Sequence, residues 1–451
     1  MEPFRHHVFV CTQPKAEGVT SCPSSGSIDV LGALQGELGK QGLSSDVQVS
    51  SCGCLGLCDE GPVIIVYPEG VWYRKLTPAD VPEIVTSHLR SGNAVSRLQW
   101  NDPPAMKAMA VEHTQKYLAM VKAKDEAGVL PEDLNDLARG FMPARALLTG
   151  LELDIFTAIG EGASPGAVAE KVKAEPRATE MLLNALASLK LLEKRNGTFF
   201  NSAASARFLA ENSKDTARPA LLHTANLWRR WSTLTEAVRE GTAVAPRTRD
   251  EQQTAAFIAA MDRNAKERAA AVVKAVASPN IQHVLDLGGG SGAYAIGLAR
   301  AVPGLKAEIL DTAEVIPLTQ DYVAKAGLSD RVTTRTGDML SAQLGEGYDL
   351  VLVSAICHMF SADDNRVLFQ RVFNALASSG RIVIQDFILE PDKTAPRAAA
   401  LFALNMLVGT NAGSTYSEPE YAEWLREAGF SDVHRVRFPG AAASLMVGTR
   451  A

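Results

Sequence analysis

The sequence predicts a mixed α/β protein, with a doubly wound parallel sheet in its C-terminal half and a separate small domain at its N-terminus. The sheet is predicted because strands and helices alternate from His283 onward. The N-terminal domain is predicted because five of the six cysteines fall within residues 11–58. A chain of 451 residues has room for about three domains, so the helical segments between these two regions supply the third.

Composition and charge exclude several classes of protein. Hydrophobic residues make up 46% and charged residues 21% of the chain, which is typical of a soluble globular protein. The net charge of −6 argues against a nucleic-acid partner, because such a partner normally needs a basic patch. No run of about 18 apolar residues predicts a membrane span, and the first residues lack the apolar core of a secretory signal. We therefore expect a cytoplasmic protein with no membrane and no nucleic-acid partner.

Residues 1–95 are expected to form a small α/β domain. Its helices are a segment within Gly26–Gly42, where apolar residues recur at helical spacing, and a last helix that follows Thr77 and runs to His88. Its strands are predicted at His6–Cys11, Val47–Ser50, Gly61–Tyr67 and Gly70–Tyr73.

Residues 96–130 are expected to form a linker followed by a helix over 105–124. This helix carries an apolar stripe made of Met106, Met109, Tyr117 and Met120. The stripe fits either a partner surface or packing against the same chain, and the sequence leaves both open.

Residues 131–210 are predicted to be mostly helical. Ser164 and Pro165 begin one helix, and another covers Pro176–Leu192. Asn196 and Gly197 then form the turn of a short hairpin within Lys194–Phe200. Two helices followed by a small hairpin are typical of a winged helix. A regulator that binds DNA is an alternative, but residues 136–210 carry a net charge of only +1, which is little for a phosphate-binding face.

Residues 211–451 are expected to form the largest domain. Helices are predicted over 216–277, and the parallel strands that follow are His283–Leu287, Ala307–Leu310, Val332–Arg335, Leu350–Val353 and Arg381–Gln385. A hairpin at the end adds Val433–Phe438 and Ser444–Gly448 to the sheet, joined by Pro439 and Gly440.

The N-terminal cysteines have the spacing of a metal or cluster site. They read C-x10-C and C-x3-C, with 31 residues between the two pairs. Thiolates are soft ligands that suit zinc or iron–sulfur clusters, and a reducing cytoplasm disfavours structural disulfides. Zinc sites usually space both pairs by about two to four residues, so the wide first pair tells against zinc. Two pairs of thiolates suit a [2Fe–2S] cluster, with two thiolates for each iron.

The stretch FVCTQ…SCP…GCLGLCDEGPVIIVYPEGVWY resembles the thioredoxin-like [2Fe–2S] ferredoxins over residues 5–95. The resemblance implies that Cys11, Cys22, Cys54 and Cys58 bind the cluster. Cys52 is additional, and it could replace Cys54 or take no part. The net charge of −4 over residues 1–95 would suit docking to a basic redox partner protein, although an acidic surface can also be no more than a solvated one.

A glycine-rich loop follows the first strand of the predicted sheet and precedes a helix. Glycines let the backbone approach a ligand closely, and a helix N-terminus favours its polar groups. The loop fits an adenosyl cofactor, and with Ala293 it also fits a dinucleotide. The residues concerned are Asp286, Gly288, Gly290 and Gly292.

Three features favour S-adenosylmethionine over a dinucleotide. Asp286 precedes the glycines and a hairpin follows the parallel strands, and both features resemble those of methyltransferases. Asp338 and Met339 follow the third strand, where an acid can reach an adenine amine. Asp311, at the end of the second strand, is expected to hold ribose hydroxyls in either case. The dinucleotide alternative, an NAD-dependent redox enzyme, stays open at this point.

Residues 131–451 resemble the class I O-methyltransferases of the caffeic acid and acetylserotonin type. The matching stretches include FMPARALLTGLELDIFTAI, VLDLGGGSG, GDML, SAICHMFSADD and YAEWLREAGF. The resemblance implies S-adenosylmethionine as cofactor, a winged-helix dimerisation domain over 131–210, a homodimer, and a catalytic domain over 211–451.

The resemblance also implies a catalytic pair. His358 matches the general base of the family, and a histidine suits this task because its pKa lies near working pH. Asp386 matches the acid that orients the base, where a glutamate is more usual. Two departures weaken the match: Met359 stands where an aspartate is usual, and residues 413–416 lack a second acid. Methylation of carbon therefore remains open beside methylation of oxygen.

The expected substrate is a hydroxylated aromatic or polycyclic small molecule. A pocket for it could be lined by Trp228, Trp231, Met261 and Phe402, although ordinary core packing explains each of them equally well. The [2Fe–2S] domain would serve redox coupling or redox sensing. The competing functions are a C-methyltransferase, a redox-responsive winged-helix regulator and an NAD-dependent redox enzyme.

The cysteine spacing generates a first prediction. Protein purified without oxygen should be red-brown and contain about two irons and two sulfides per chain, as measured by metal and sulfide analysis and by its absorption spectrum. Cys52→Ser is the control and should keep the colour. Stoichiometric zinc without visible charge-transfer bands would contradict the cluster.

Overall fold

The computed structural model describes residues 3–15, 19–128, 130–245, 251–438 and 443–451. The chain divides into two compact units, residues 1–140 and 141–451. None of the helices in these described ranges is long and apolar enough to cross a membrane.

The first unit is built on a sheet of four strands in the order β2-β1-β3-β4. β1 pairs in parallel with β2 and antiparallel with β3, and β3 pairs antiparallel with β4. Inward-facing residues of β1 alternate with partly exposed ones, as expected for a sheet that packs a helix against one face. The elements are β1 (His6–Cys11), α1 (Ser27–Lys40), β2 (Val47–Cys52), β3 (Ile64–Tyr67), β4 (Val71–Tyr73), α2 (Val81–Glu83), α3 (Pro103–Glu126) and α4 (Glu132–Arg139).

Several element boundaries in this unit differ from the sequence prediction, among them the start of β4 at Val71 and the longer α3 over Pro103–Glu126. β2 runs on to Cys52, and β3 begins only at Ile64 because Gly61 and Pro62 still belong to the preceding loop. The last helix is irregular: a 3₁₀ turn and the short α2 are followed by a π-helix over Ile84–Arg90. Pro82 within α2 lacks the N–H that a regular helix would use.

The predicted stripe on α3 divides between two environments. Met106 is 8% exposed and packs with Met109 and Ala110 against the cysteine loops of the same unit. Tyr117 and Met120 are 44% and 37% exposed. Packing against the same chain therefore explains the first half of the stripe and leaves the second half uncovered.

The second unit begins with a helical region that contains a small hairpin. Its elements are α5 (Phe141–Glu152), α6 (Ile155–Ile159), α7 (Pro165–Val172), α8 (Pro176–Ser188), β5 (Leu192–Arg195), β6 (Thr198–Asn201), α9 (Ala203–Phe208), α10 (Arg218–Trp231), α11 (Leu234–Glu240) and α12 (Glu251–Val276). The predicted turn is confirmed, since Asn196 and Gly197 both have positive φ, as a two-residue turn with the twist of a hairpin requires. Ser164 caps α7, as expected.

A seven-stranded sheet follows, in the order β12-β13-β11-β10-β7-β8-β9. β7 to β11 are parallel, and β13 runs antiparallel between β11 and β12. The elements are β7 (His283–Leu287), α13 (Ala293–Ala301), β8 (Lys306–Asp311), α14 (Ile316–Lys325), β9 (Val332–Thr336), β10 (Tyr348–Ser354), α15 (Ala362–Ala375), β11 (Leu376–Asp386), α16 (Arg397–Gly409), α17 (Glu418–Glu427), β12 (Phe430–Val436) and β13 (Ser444–Arg450). The doubly wound sheet and the final hairpin are thus confirmed, while the predicted Pro439-Gly440 turn lies outside the described residues.

The strand order fixes where a ligand can bind. The sheet grows from β7 towards β9 on one side and from β10 towards β12 on the other. At such a reversal the loops after the two central strands separate and leave a crevice at their carboxyl ends. The glycine-rich loop follows β7, and His358 follows β10, so the sheet brings both predicted sites to one edge.

Candidate active site and cluster site

The four predicted cluster ligands lie at the end of β1 and on the loops that follow β1 and β2. Cys11 ends β1, Cys22 precedes α1, and Cys54 and Cys58 lie on the loop that follows β2. The Sγ atoms of Cys54 and Cys58 are 3.6 Å apart. The thiols of Cys11 and Cys22 interact with each other, which lowers the pKa of Cys11 to about 6 and raises that of Cys22. A low thiol pKa favours the thiolate that a metal binds.

These sulfurs fit a cluster of the [2Fe–2S] type. Metal–sulfur bonds of about 2.3 Å in a tetrahedral site place two sulfurs roughly 3.8 Å apart, and the 3.6 Å between Cys54 and Cys58 is close to that value. Burial and the neighbouring Cys54 thiol raise the pKa of Cys58 to about 12. Three of the four cysteines are buried and Cys54 is exposed, so one edge of the site faces outward.

Cys52 packs against the same apolar cluster as Cys11 and Cys22. It ends β2, where its backbone is in register with that of Cys11, and it is half-buried. Burial raises the pKa of its thiol. The short distance between Cys54 and Cys58 therefore favours Cys54 over Cys52 as the third ligand.

Gly61 supplies the space that the cysteine loops need. Its φ of −69° is ordinary, so the backbone conformation does not require glycine. A Cβ at this position would lie 2.9 Å from Sγ of Cys22 and 3.1 Å from its Cα. Glycine is required here because the two loops approach each other closely.

The glycine-rich loop after β7 is held open by two polar contacts. The N–H of Gly290 donates to Asp311 Oδ2 at 2.9 Å, and Thr319 Oγ1 donates to the carbonyl of Gly290 at 2.5 Å. Gly288 and Gly290 have positive φ, and a Cβ on Gly288 would strike Ile356 at 2.3 Å. The loop is thus a bare backbone cradle, which is the form that an adenosyl cofactor requires.

Asp286 lies beneath this cradle without a satisfactory partner. It is fully buried, and neither carboxylate oxygen makes a hydrogen bond of normal geometry. Burial, together with the charge of Asp311 and opposed only weakly by the Ala295 N–H, raises the pKa of Asp286 to about 7. An orphaned buried carboxylate beside a glycine cradle fits a cofactor that brings a positive charge.

The other predicted cofactor residues lie at the end of β8 and on the loop that follows β9. Asp311 is 9% exposed, and burial raises its pKa although the N–H groups of Gly290 and Thr312 oppose the shift. The terminal methyl of Met339 would be 3.3 Å from a Cβ on Gly288, so it covers the cradle. Asp338 is exposed, and its carboxylate accepts from the N–H of Leu340 and the hydroxyl of Ser341.

His358 and Asp386 form a buried pair at the same edge. Nδ1 of His358 is 2.7 Å from Oδ1 of Asp386, and the backbone N–H of His358 donates to Oδ2 at 3.2 Å. Because the carboxylate accepts, we assign the ring hydrogen to Nδ1, which leaves Nε2 as a proton acceptor. The side chain of His358 is 8% exposed and that of Asp386 is fully buried. The predicted pair is therefore brought together with the geometry of an oriented base.

Two groups that the sequence did not reveal hold Asp386 in place. The Phe387 N–H donates to its Oδ1 at 2.8 Å, and the buried hydroxyl of Tyr421 donates to its Oδ2 at 3.4 Å. Tyr421 belongs to the stretch YAEWLREAGF that carried the resemblance, which is the one signal that could have drawn attention to it. Thr319 on α14, which holds Gly290, had no such signal.

The stretch without a second acid packs directly behind the histidine. A Cβ on Gly413 would lie 2.4 Å from the carbonyl oxygen of His358 and 3.0 Å from that of Met359. Position 413 therefore has no room for a side chain unless the neighbouring backbone shifts. Met359 is 41% exposed and so does not contribute to the buried pair.

The predicted pocket residues lie in different surroundings. The ring of Phe402 meets that of His358 edge-on at 4.8 Å, whereas Trp231 donates from Nε1 to Asn405 at 2.9 Å. Trp228 packs on the helical core beside Phe141, and Met261 is half-buried on α12. Phe402 therefore lies beside the His358–Asp386 pair, whereas Trp231 and Trp228 contact other side chains.

Comparison with family models accounts for three parts of the chain. Residues 2–88 match the thioredoxin-like [2Fe-2S] ferredoxin, residues 135–211 the O-methyltransferase dimerisation domain, and residues 231–431 the O-methyltransferase domain.

Individual relatives agree with these matches. The 3-hydroxy-5-methyl-1-naphthoate 3-O-methyltransferase of Streptomyces sahachiroi is 33% identical over 69% of this chain and 93% of its own length. The 2Fe-2S ferredoxin of Clostridium pasteurianum is 45% identical over 21% of this chain and 95% of its own. The structure of human N-acetylserotonin methyltransferase in complex with SAM superposes with a TM-score of 0.64, at 26% identity over 71% of this chain and 99% of that one.

These similarities decide between the cofactors. They support S-adenosylmethionine for the cradle after β7 and a [2Fe–2S] cluster for the N-terminal domain. The dinucleotide alternative is therefore set aside.

Gly61→Ala should prevent the cysteine loops from holding a cluster. The added methyl would overlap Sγ of Cys22, as the 2.9 Å distance shows, and we expect a loss of more than half of the iron per chain. Gly53→Ala is the matched control, because nothing lies within 4 Å of a Cβ there, and it should keep its iron. Iron analysis and the visible spectrum measure both, and wild-type iron in Gly61→Ala would refute the steric argument.

Asp286→Asn should stabilise the cofactor-free protein at high pH and weaken S-adenosylmethionine binding. The carboxyl of Asp286 has a raised pKa of about 7 in the folded protein, compared with about 4 in the unfolded chain. The folded protein therefore binds this proton more tightly, and the stability that the bound proton contributes is complete below about pH 4 and is lost as pH rises through about 7. The variant should therefore melt at a higher temperature than wild type at pH 8 and show a smaller difference at pH 5. Thermal denaturation and calorimetry test this, with the exposed Asp432→Asn as control. Equal melting temperatures at pH 8 would contradict the uncompensated burial.

Proposed function

Because the chain belongs to the O-methyltransferase family, we propose that it methylates a hydroxyl group of a hydroxylated aromatic or polycyclic small molecule. The chain is an S-adenosylmethionine-dependent methyltransferase that carries a fused thioredoxin-like [2Fe–2S] domain. The observation that supports oxygen as the acceptor is the His358–Asp386 pair, which presents a proton acceptor beside the cofactor cradle.

The aromatic character of the acceptor is proposed from the site and from a relative. The rings of Phe402 and Phe387 lie 4.3 Å apart, and Phe402 contacts the ring of His358. Aromatic walls beside a base suit a flat ring that carries an acidic hydroxyl. The name of the Streptomyces relative gives a hydroxynaphthoate as its own acceptor.

The proposed mechanism assigns positioning to the pocket and proton transfer to His358. S-adenosylmethionine, when bound, supplies the methyl group as part of a sulfonium. Nε2 of His358 would take the hydroxyl proton as the substrate oxygen forms its bond to the methyl carbon, and the methyl–sulfur bond would break to leave a neutral thioether on the cofactor. Asp386 keeps the imidazole in the tautomer that can accept and stabilises the imidazolium that forms. Positioning lowers most of the barrier, and the base contributes about 10²–10⁴-fold.

The cofactor residues take distinct roles in this proposal. Asp311 would accept hydrogen bonds from the ribose hydroxyls, and Asp338 would accept one from the adenine amine. Asp286 would balance positive charge on the cofactor from beneath the loop of Gly288, Gly290 and Gly292. Met339 would pack against the adenine.

We also propose a homodimer in the cytoplasm. The match to a dimerisation domain supports assembly, and large apolar side chains are exposed on α4 and α5: Leu134, Leu137, Phe141 and Met142. A closed two-fold pair would bury them. Cysteines that bind a cluster as thiolates suit a reducing compartment.

The fused ferredoxin domain is proposed to couple methylation to redox state, either by exchanging electrons with a partner protein or by sensing. Its exposed cysteine edge, at Cys54, is where another protein could approach the cluster.

Methylation of carbon is the second candidate, and one observation favours it. The stretch of residues 413–416 has no acid, and Gly413 lies against the histidine carbonyl, so the base has a single carboxylate partner among the described residues. Nuclear magnetic resonance of the product separates the two, because a methoxy group and a C-methyl group have different carbon shifts.

His358→Ala should slow turnover by about 10²–10⁴-fold and leave the dissociation constant of S-adenosylmethionine unchanged, because the histidine acts on the acceptor. Asp386→Asn should slow turnover as well, since it disturbs the tautomer. Steady-state kinetics and calorimetry measure both effects, and His434→Ala, at an exposed histidine, is the control. Full turnover of His358→Ala at every pH would show that the base assignment is wrong.

Replacing both Leu134 and Leu137 by Glu should dissociate the dimer. The two side chains are 50% and 69% exposed, and losing their burial should cost at least about 3 kcal/mol, or more than a hundredfold in the dissociation constant. Light scattering at micromolar concentration measures the mass, with Asp136→Ala on the same helix as control. A wild-type monomer under these conditions would contradict the proposed assembly.

A further inference from the structure

Helix α3 packs directly on the loop that carries Cys54 and Cys58. A Cβ on Gly56 would lie 3.0 Å from Cα of Ala110 and 3.1 Å from its Cβ, so the helix backbone and the loop are in close contact. Met106 and Met109 pack beside Cys11 and Cys22 in the same apolar cluster. The helix is therefore part of the wall of the cluster site, although the ferredoxin match ends at residue 88.

A second contact fixes the helix against the other cysteine loop. Nζ of Lys15 lies 4.4 Å from the ring centre of Tyr117 on α3, which is within the range of a cation–π interaction. Lys15 also lowers the pKa of Cys11. The helix is thus held on both sides of the site.

This placement brings one histidine to the cysteines. His113 follows Ala110 by three residues, so it projects from the same face of α3. One of its ring nitrogens and the Sγ atoms of Cys54 and Cys58 all lie within 4.8 Å of one another, and the imidazole is half-buried. A change in the side-chain torsion angles is needed to bring the ring nitrogen within hydrogen-bonding distance of a sulfur.

The sulfur of Cys54 has room for a further donor. Gly56 N–H already donates to it at 3.3 Å, and Cys54 is the exposed member of the four cysteines. An N–H donor next to a thiolate stabilises negative charge on the sulfur. Hydrogen bonds to cluster sulfurs are one of the factors that set reduction potential, because the reduced cluster carries one more negative charge than the oxidised one.

We propose that His113 donates a hydrogen bond to the thiolates of Cys54 and Cys58 and thereby raises the reduction potential of the [2Fe–2S] cluster. His113 acts on the cluster through this hydrogen bond to its ligands and does not itself bind iron. The inference rests on the cluster and on the packing of α3, and it does not depend on which molecule is methylated.

The test compares full-length cluster-loaded variants by spectroelectrochemical titration. His113→Leu removes the donor and keeps a side chain of similar bulk. The reduction potential of its cluster should be at least 59 mV more negative than that of wild type, which corresponds to a tenfold change in the equilibrium constant for one electron. His113→Gln keeps an N–H donor and should lie between His113→Leu and wild type. Gln115→Ala, at an exposed position of the same helix, is the control and should match wild type. Equal potentials for wild type and His113→Leu at equal iron content would overturn the proposal.

A measurement on the wild-type protein keeps the proposal testable if His113→Leu loses its iron. Pulsed electron paramagnetic resonance of the reduced cluster, with histidine labelled by ¹⁵N, should show one weak nitrogen coupling. No histidine coupling would overturn the hydrogen bond. A strong coupling would also overturn it, because a strong coupling means that imidazole is bound directly to iron.

Discussion

The parallel pairing of β7 with β10 is the constraint on which the catalytic unit depends. This pairing joins strands that are 60 residues apart and places the carboxyl ends of both at one edge of the sheet. The loop after β7 supplies the glycine cradle, and the loop after β10 supplies His358. β11, which pairs with β10 on its other side, delivers Asp386 to the same edge. The site therefore exists as a consequence of strand order, and the surrounding helices serve to bury it.

Three buried aspartates show how the protein handles charge at this edge. Asp311 and Asp386 each accept at least two hydrogen bonds from backbone or side-chain donors. Asp286 has no such support, and burial raises its pKa to about 7. An unsupported buried carboxylate costs stability in the cofactor-free protein. The glycine loop and Asp286 are therefore arranged for ligand binding at some cost in the stability of the cofactor-free protein, which is common at functional sites.

The fold could be predicted because its signals are local. Alternating strands and helices indicated the sheet, and Asn196-Gly197 indicated the hairpin turn. His358 and Asp386 were assigned from the resemblance to a family; the structure brings them together, and their catalytic roles stay a prediction. What could not be predicted depends on distant packing. No sequence motif around Thr319 indicates that its hydroxyl donates to the carbonyl of Gly290. His113 is separated from Cys58 by 54 residues of chain, so the sequence does not indicate that they lie close together. The irregular helix over residues 84–90 also escaped prediction, because periodicity does not distinguish a π-helix from an α-helix.

The close contact between Gly56 and Ala110 has a consequence for protein engineering. No residue is smaller than glycine, so a change at position 56 cannot make room for a side chain larger than that of Ala110. A chimaera that exchanges the N-terminal domain at residue 95 would separate the loop from the helix that fits it. A graft that carries residues 1–126 as one piece keeps this contact, and the transplantable module is therefore longer than the ferredoxin itself.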